Sequence, residues 1–190
     1  MSTQAITDIP GYVAGTWEID PVHSDVSFTV RHMMVSKVRG KFHNVRGTIV
    51  TAENPLESEV TAEIDVSSID TGNEQRDEHV RSAEFLDTDT YPTMTYRSTS
   101  VGPKGDNLLV EGDLTLHGVT RPVELELELN GIGIDAYGAT RAGFTATGQI
   151  NRKDFGITID MPLDGGGAVV GDKIQLQLEI AAVLTQPAHR

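Results

Sequence analysis

Cysteine is absent from all 190 residues. That excludes disulfides, thiolate nucleophiles and cysteine-based metal sites together. Aromatic residues make up only 5% of the chain, so large rings alone do not fill a broad interior. No segment approaches the roughly 18 consecutive apolar residues of a membrane-spanning helix. The start of the chain, Met1 to Pro10, carries neither a basic cluster nor an apolar core, so no signal peptide is expected and a cytoplasmic location is. Basic side chains are outnumbered 15 to 28, for a net charge of −13. Such a surface repels phosphate backbones and argues against a nucleic-acid partner.

What is present is alternation. Val123, Leu125, Leu127 and Leu129 are separated by Glu124, Glu126 and Glu128 without a fault, a period of two that a strand resolves into an apolar and an acidic face. The pattern recurs at Val26/Phe28/Val30, at Val60/Ala62/Ile64/Val66, and at Leu108/Val110/Gly112/Leu114/Leu116. It recurs again at Ala142/Phe144/Ala146/Gly148/Ile150 and at Ile174/Leu176/Leu178/Ile180. Shorter strands are expected at Thr16–Asp20 and from Met94 to Val101. Between Lys41 and Thr51 the apolar parity switches, which predicts a β-bulge near Asn44. Turns are marked at Asn54-Pro55, Pro103 to Asn107, His117-Gly118 and Asn130-Gly131. One short helix is expected near 73–83, with Thr71 as N-cap, Glu74 reaching back, and Asp77 and Arg81 paired four apart.

One such helix cannot cover this many one-sided strands, so the faces bury one another. The expected fold is all-β, an antiparallel eight-stranded up-and-down barrel. Residues 1–13 read as an arm, 14–185 as a single domain, and 186–190 as a flexible tail. Eight strands close with either a filled centre or room for one ligand. Scarce aromatics and small inward residues (Ala62, Gly112, Ala142, Ala146, Gly148) favour space. An aliphatic, uncharged lining suits a hydrocarbon, each buried methylene gaining roughly 0.8 kcal/mol before ordering and association costs.

Several ordered stretches carry a family resemblance. They are Trp17 to Ser24 with Val26, Phe28 and His32; Gly40-Lys41-Phe42; Ser68 to Asn73 with Arg76, Asp77, His79 and Arg81 to Phe85; Tyr91-Pro92; Gly112 to Val123; Ile150 to Ile157; and Val170-Gly171-Asp172. In these the chain resembles the YceI-like family of lipocalin-like barrels that bind polyisoprenoids, from Trp17 to Val183. The resemblance implies noncatalytic binding, storage or transport of an isoprenoid lipid, polyprenyl or quinone-like, with no cofactor required. The lining expected to hold it is Val26, Phe28, Val30, Phe42, Ala62, Ile64, Leu114, Leu116, Leu125, Leu127, Ala142, Phe144, Ala146, Leu176 and Leu178.

Other constellations compete. No His pair has metal-ligand spacing on one element. A hydrolase reading enlists Ser24, His23 and Asp77, but adjacent strand residues point apart and there is no Gly-x-Ser-x-Gly elbow. The polar group Asp70, Arg76, Asp77, His79 and Arg81 serves either a head group or the anchoring of the helix. Arg31 to Lys41 holds four fixed cations and no acid. Met33, Met34, Lys37, Arg39 and Lys41 form either a lipid portal with transient membrane contact or an ordinary hairpin connection. A small enzyme at the barrel mouth and a filled barrel serving as an interaction module stand as the other functions. The residues leave a homodimer as open as a monomer.

Overall fold

The alternating segments become strands. In a computed structural model, which describes residues 9–32, 36–158, 162–163 and 168–188, they run as follows. β1 is Gly15–Ile19, β2 Asp25–His32, β3 Ser36–Phe42, β4 Val45–Thr51, β5 Glu59–Asp65 and β6 Ile69–Asp70. Helix α1 is Glu74–Arg81. β7 is Thr93–Lys104, β8 Asn107–Leu116, β9 Val119–Ile134, β10 Thr140–Asn151, β11 Pro162–Leu163 and β12 Ala168–Pro187.

The pairing order β1-β4-β5-β7-β8-β9-β10-β12 returns to β1, so these eight antiparallel strands close into a barrel. β2, β3 and β6 continue β1, β4 and β5 past a bend and pair in the same sequence beside β12. Three of the eight staves are therefore kinked. The bend between β1 and β2 falls at Asp20 to Ser24, where Pro21 has no N–H for the ladder. Asp20 accepts the Val22 N–H there at 2.9 Å.

The parity switch near Asn44 is real, but it takes the form of a break. Phe42 and Val45 are both buried, and His43-Asn44 leaves the ladder between them. Ser68 Oγ accepts the N–H of both His43 (3.0 Å) and Asn44 (3.3 Å), replacing the lost pairing. Asn130-Gly131 is not a turn. β9 runs through it, with a bulge that faces Gly143/Phe144, and the chain reverses at Asp135 to Gly138. The helix starts later than expected: Asn73 is the N-cap, accepting the Arg76 N–H at 3.0 Å. Thr71 instead donates both its N–H and its hydroxyl to Asp77. With Asp77 so occupied, Arg81 turns to the Ile69 carbonyl. At the other terminus Gln186 and Pro187, expected in the tail, pair with Thr16 and Gly15.

Candidate functional site: an apolar tube along the barrel axis

Inward side chains from every strand of the barrel, and from β2 and β3, surround a cavity of about 300 Å³. For scale, a cavity of roughly 150 Å³ holds benzene. The lining follows β10 from Ala142 to Ile150 and continues to Arg152 just past its end, about 34 Å along the chain. At a tilt of about 40° this is about 25 Å along the barrel axis. So modest a volume drawn over that length is a narrow tube, suited to one chain.

All fifteen residues of the expected lining, from Val26 through Leu178, lie on the cavity wall, whereas Val66, read on the same apolar face as Ala62 and Ile64, is buried away from it. The glycines do not create the space. A Cβ on Gly112 would lie 2.5 Å from Tyr96 Cζ, and one on Gly148 would lie 2.8 Å from Leu125 Cδ2. Larger neighbours already cover both positions, so the small wall residues that leave room are Ala62, Ala142 and Ala146.

Different groups stand at the two ends. At one end stand Val80 of α1, Phe85, Leu86 and Ile157. They are held by a dense polar web: Arg76 donates Nε to Thr71 Oγ1 and Nη2 to Thr71 O, both at 2.8 Å. Arg152, only 2% exposed, donates to Ile157 O at 2.9 Å, to Gly171 O at 3.1 Å and to Asp172 Oδ1 at 3.2 Å. At the other end Ile9, Tyr12, Pro55 and Ser58 complete the wall. Part of the expected arm is thus docked, with the Tyr12 hydroxyl on Ala52 O and the Tyr12 N–H on Ile9 O.

Sequence reasoning missed these end residues. Ile9 and Tyr12 sit outside any periodic segment, and Arg76 and Arg152 appeared only as members of polar motifs. Their guanidinium groups are engaged by the protein while their stems face the cavity. A polar atom is tolerated on the wall where it is already bonded. Tyr96 is the clearest case: its buried hydroxyl donates to Val123 O at 2.9 Å. Burial, reinforced by the charges of Asp113, Glu111 and Glu124, pushes that phenol well above its ordinary ionisation range.

The other candidate constellations do not assemble. His23 pairs with Asp20 at 2.6 Å, Ser24 exchanges hydrogen bonds with Ala181, and Asp77 serves Thr71. His43, His79 and His117 bond Asp70, Glu84 and the Phe155 carbonyl respectively. Among the described residues no group of three or more acidic or His side chains could hold a metal ion, and no helix is long and apolar enough to cross a membrane. In the polar group near α1, Arg76 and Asp77 bond Thr71 and Arg81 bonds the Ile69 carbonyl, which fastens the helix to the barrel rim, whereas His79 bonds Glu84 and Asp70 bonds His43 and the Gly72 N–H. Met33 and Met34 lie outside the described residues. Lys37, Arg39 and Lys41 are exposed on β3, while Val38 and Phe42 between and beside them face the cavity.

A closed eight-stranded antiparallel barrel around a ligand-sized apolar tube defines a lipocalin-like class of protein. Within it, the chain belongs to the YceI-like domain family, whose model matches residues 17–182. It is 45% identical over 152 residues to Protein YceI of Escherichia coli O157:H7, covering 78% of this chain and 80% of that protein. Protein YceI of Salmonella newport (strain SL254) matches to the same extent. In fold it is similar to Burkholderia cenocepacia BcnA (TM-score 0.72, 22% identity, 86% of this chain and 98% of that one). It is also similar to a polyisoprenoid binding domain from Saccharophagus degradans (TM-score 0.70, 18% identity, 92% and 100%).

Proposed function

We propose that the barrel holds one isoprenoid-tailed lipid along its axis and stores or carries it without chemistry. The observation that carries this reading is the tube itself: narrow, about 25 Å long, and walled by apolar side chains from all around the barrel. The resemblance in fold to a polyisoprenoid binding domain supports the class of ligand. Each methylene taken from water contributes roughly 0.8 kcal/mol, so a few prenyl units outweigh typical association costs. Among the described residues the apolar wall offers a head group no polar site, which leaves that part of the lipid at an end of the tube.

Organic extraction of the purified protein followed by mass spectrometry tests the proposal. A prenyl lipid near one equivalent is the expected result. Ala146, 3% exposed on the wall, changed to Phe should keep the barrel folded and cut the recovered lipid severalfold. Equal recovery from the folded variant would refute binding in the tube.

A further inference from the structure

The cations of this acidic chain are not evenly spread. Lys37, Arg39 and Lys41 alternate along β3, all exposed, about 14 Å from first to last. Exposed Lys173 stands on β12, two strands away across β2. Among the described residues none of the four forms an ion pair. Opposite two of them the outward neighbours are uncharged, Thr29 between Arg39 and Gln175 and Ser27 between Lys41 and Gln177, while the register partner of Lys37 is another arginine, Arg31. The Asp70 carboxylate beside Lys41 is engaged by His43 Nε2 at 3.0 Å and by the Gly72 N–H at 2.9 Å.

The strand order places β9 four staves from the β3–β4 stave, on the opposite wall of the closed barrel. β9 turns Glu124, Glu126 and Glu128 outward. The molecule is therefore electrically polarised across its barrel. The positive side has a second property: Phe28, Val30, Val38 and Phe42, on the inner face of the same β2–β3 ribbon, wall the cavity.

We infer that the outer face of the β2–β3 ribbon is a docking surface for an anionic phospholipid bilayer. An anionic surface attracts the ribbon and repels the opposite acidic wall, so charge alone sets the orientation on encounter. Docking sets one thin ribbon between the bilayer and the hydrocarbon tube. That a bilayer is the relevant anion rests on the lipid-binding reading; the charge distribution does not.

Vesicle sedimentation tests this, using the full chain stripped of lipid and, separately, loaded. Binding to vesicles containing an anionic phospholipid, little to zwitterionic ones, and loss at high salt are expected. Lys37→Glu/Arg39→Glu/Lys41→Glu should weaken it by about tenfold or more, since each basic residue near such a surface is worth a factor of about five. Arg97→Glu/Lys104→Glu/Arg121→Glu makes the same net-charge change on other staves and should have a clearly smaller effect. Thermal melting of both variants confirms folding. Equal losses in the two variants, equal binding to both kinds of vesicle, or no binding at all would overturn the inference. Cargo without docking refutes it and leaves the lipid-binding reading intact; docking by a protein that never holds lipid does the reverse.

Discussion

Gly112→Ala offers a stringent test of how this barrel makes its space. A methyl there would meet Tyr96 Cζ at 2.5 Å, Tyr96 Oη at 2.6 Å and the Arg97 carbonyl oxygen at 2.7 Å. None of these contacts is tolerable, and the last involves backbone of the neighbouring strand. Overpacking of this kind costs about 1–3 kcal/mol. If the ring swings away, its buried hydroxyl leaves Val123 O, which costs about 1–3 kcal/mol more. Replacing glycine in a strand returns roughly 0.5–1 kcal/mol through the unfolded chain. The net expectation is a loss of about 2–4 kcal/mol, measured by urea unfolding with the slope unchanged. Tyr96 also lines the tube, so a displaced ring should lower the lipid recovered per protein. The same substitution on a Tyr96→Leu background should cost at least about 1 kcal/mol less, a coupling typical of touching residues. A loss under about 0.5 kcal/mol, or equal losses on both backgrounds, would show that the ring does not occupy that glycine's space.

Other expectations follow from the same geometry. Hydrogen bonding from His23, then from Arg141 and the Val22 N–H, outweighs burial and holds the Asp20 carboxyl down at about 2, against an ordinary value of 3.8. The stability this lends is complete above pH about 4 and is lost as pH falls through 2. Asp20→Asn should flatten that part of the acid-unfolding curve, and an unchanged curve would rule the linkage out. Arg152→Met orphans the Gly171 and Ile157 carbonyls and should cost about 2–4 kcal/mol in urea unfolding; less than 1 would mean that the rim closes without it. Asn73→Ala removes only a cap and should cost about 1 kcal/mol, whereas Thr71→Val, which strips the hydroxyl shared by Asp77 and Arg76, should destabilise more. The reverse order, read by thermal melting, would refute the anchoring role of Thr71.

The barrel was legible because period-two alternation survives in nearly every strand: the faces of β8, β9, β10 and β12 follow directly from parity. Where local sequence and tertiary pairing compete, the reading failed in detail. Asn130-Gly131 is a strong turn signal overridden by pairing with β10 before and after it, which absorbs it as a bulge. Thr71 looked like a cap because it precedes Glu74 by three, but the buried Asp77 carboxylate holds it instead. Small residues were taken as room, yet what matters is the neighbour across the strand. Tyr96 over Gly112 and Phe28 over Gly40 are pairings that no single segment announces. Ile9 and Tyr12 reach the cavity from outside the periodic pattern, so no local rule could find them.

The seam of this barrel has a kinetic meaning. β12 lies against β10 along one flank and against β2 and then β1 along the other, so the first and last staves in chain order must meet before any ring exists. Until that meeting the growing polypeptide is an open ribbon with two bare edges, prone to stray pairing and slow to mature. A newborn molecule therefore stays exposed until its final stave arrives, and a guest present at that instant could be enclosed as the circle shuts.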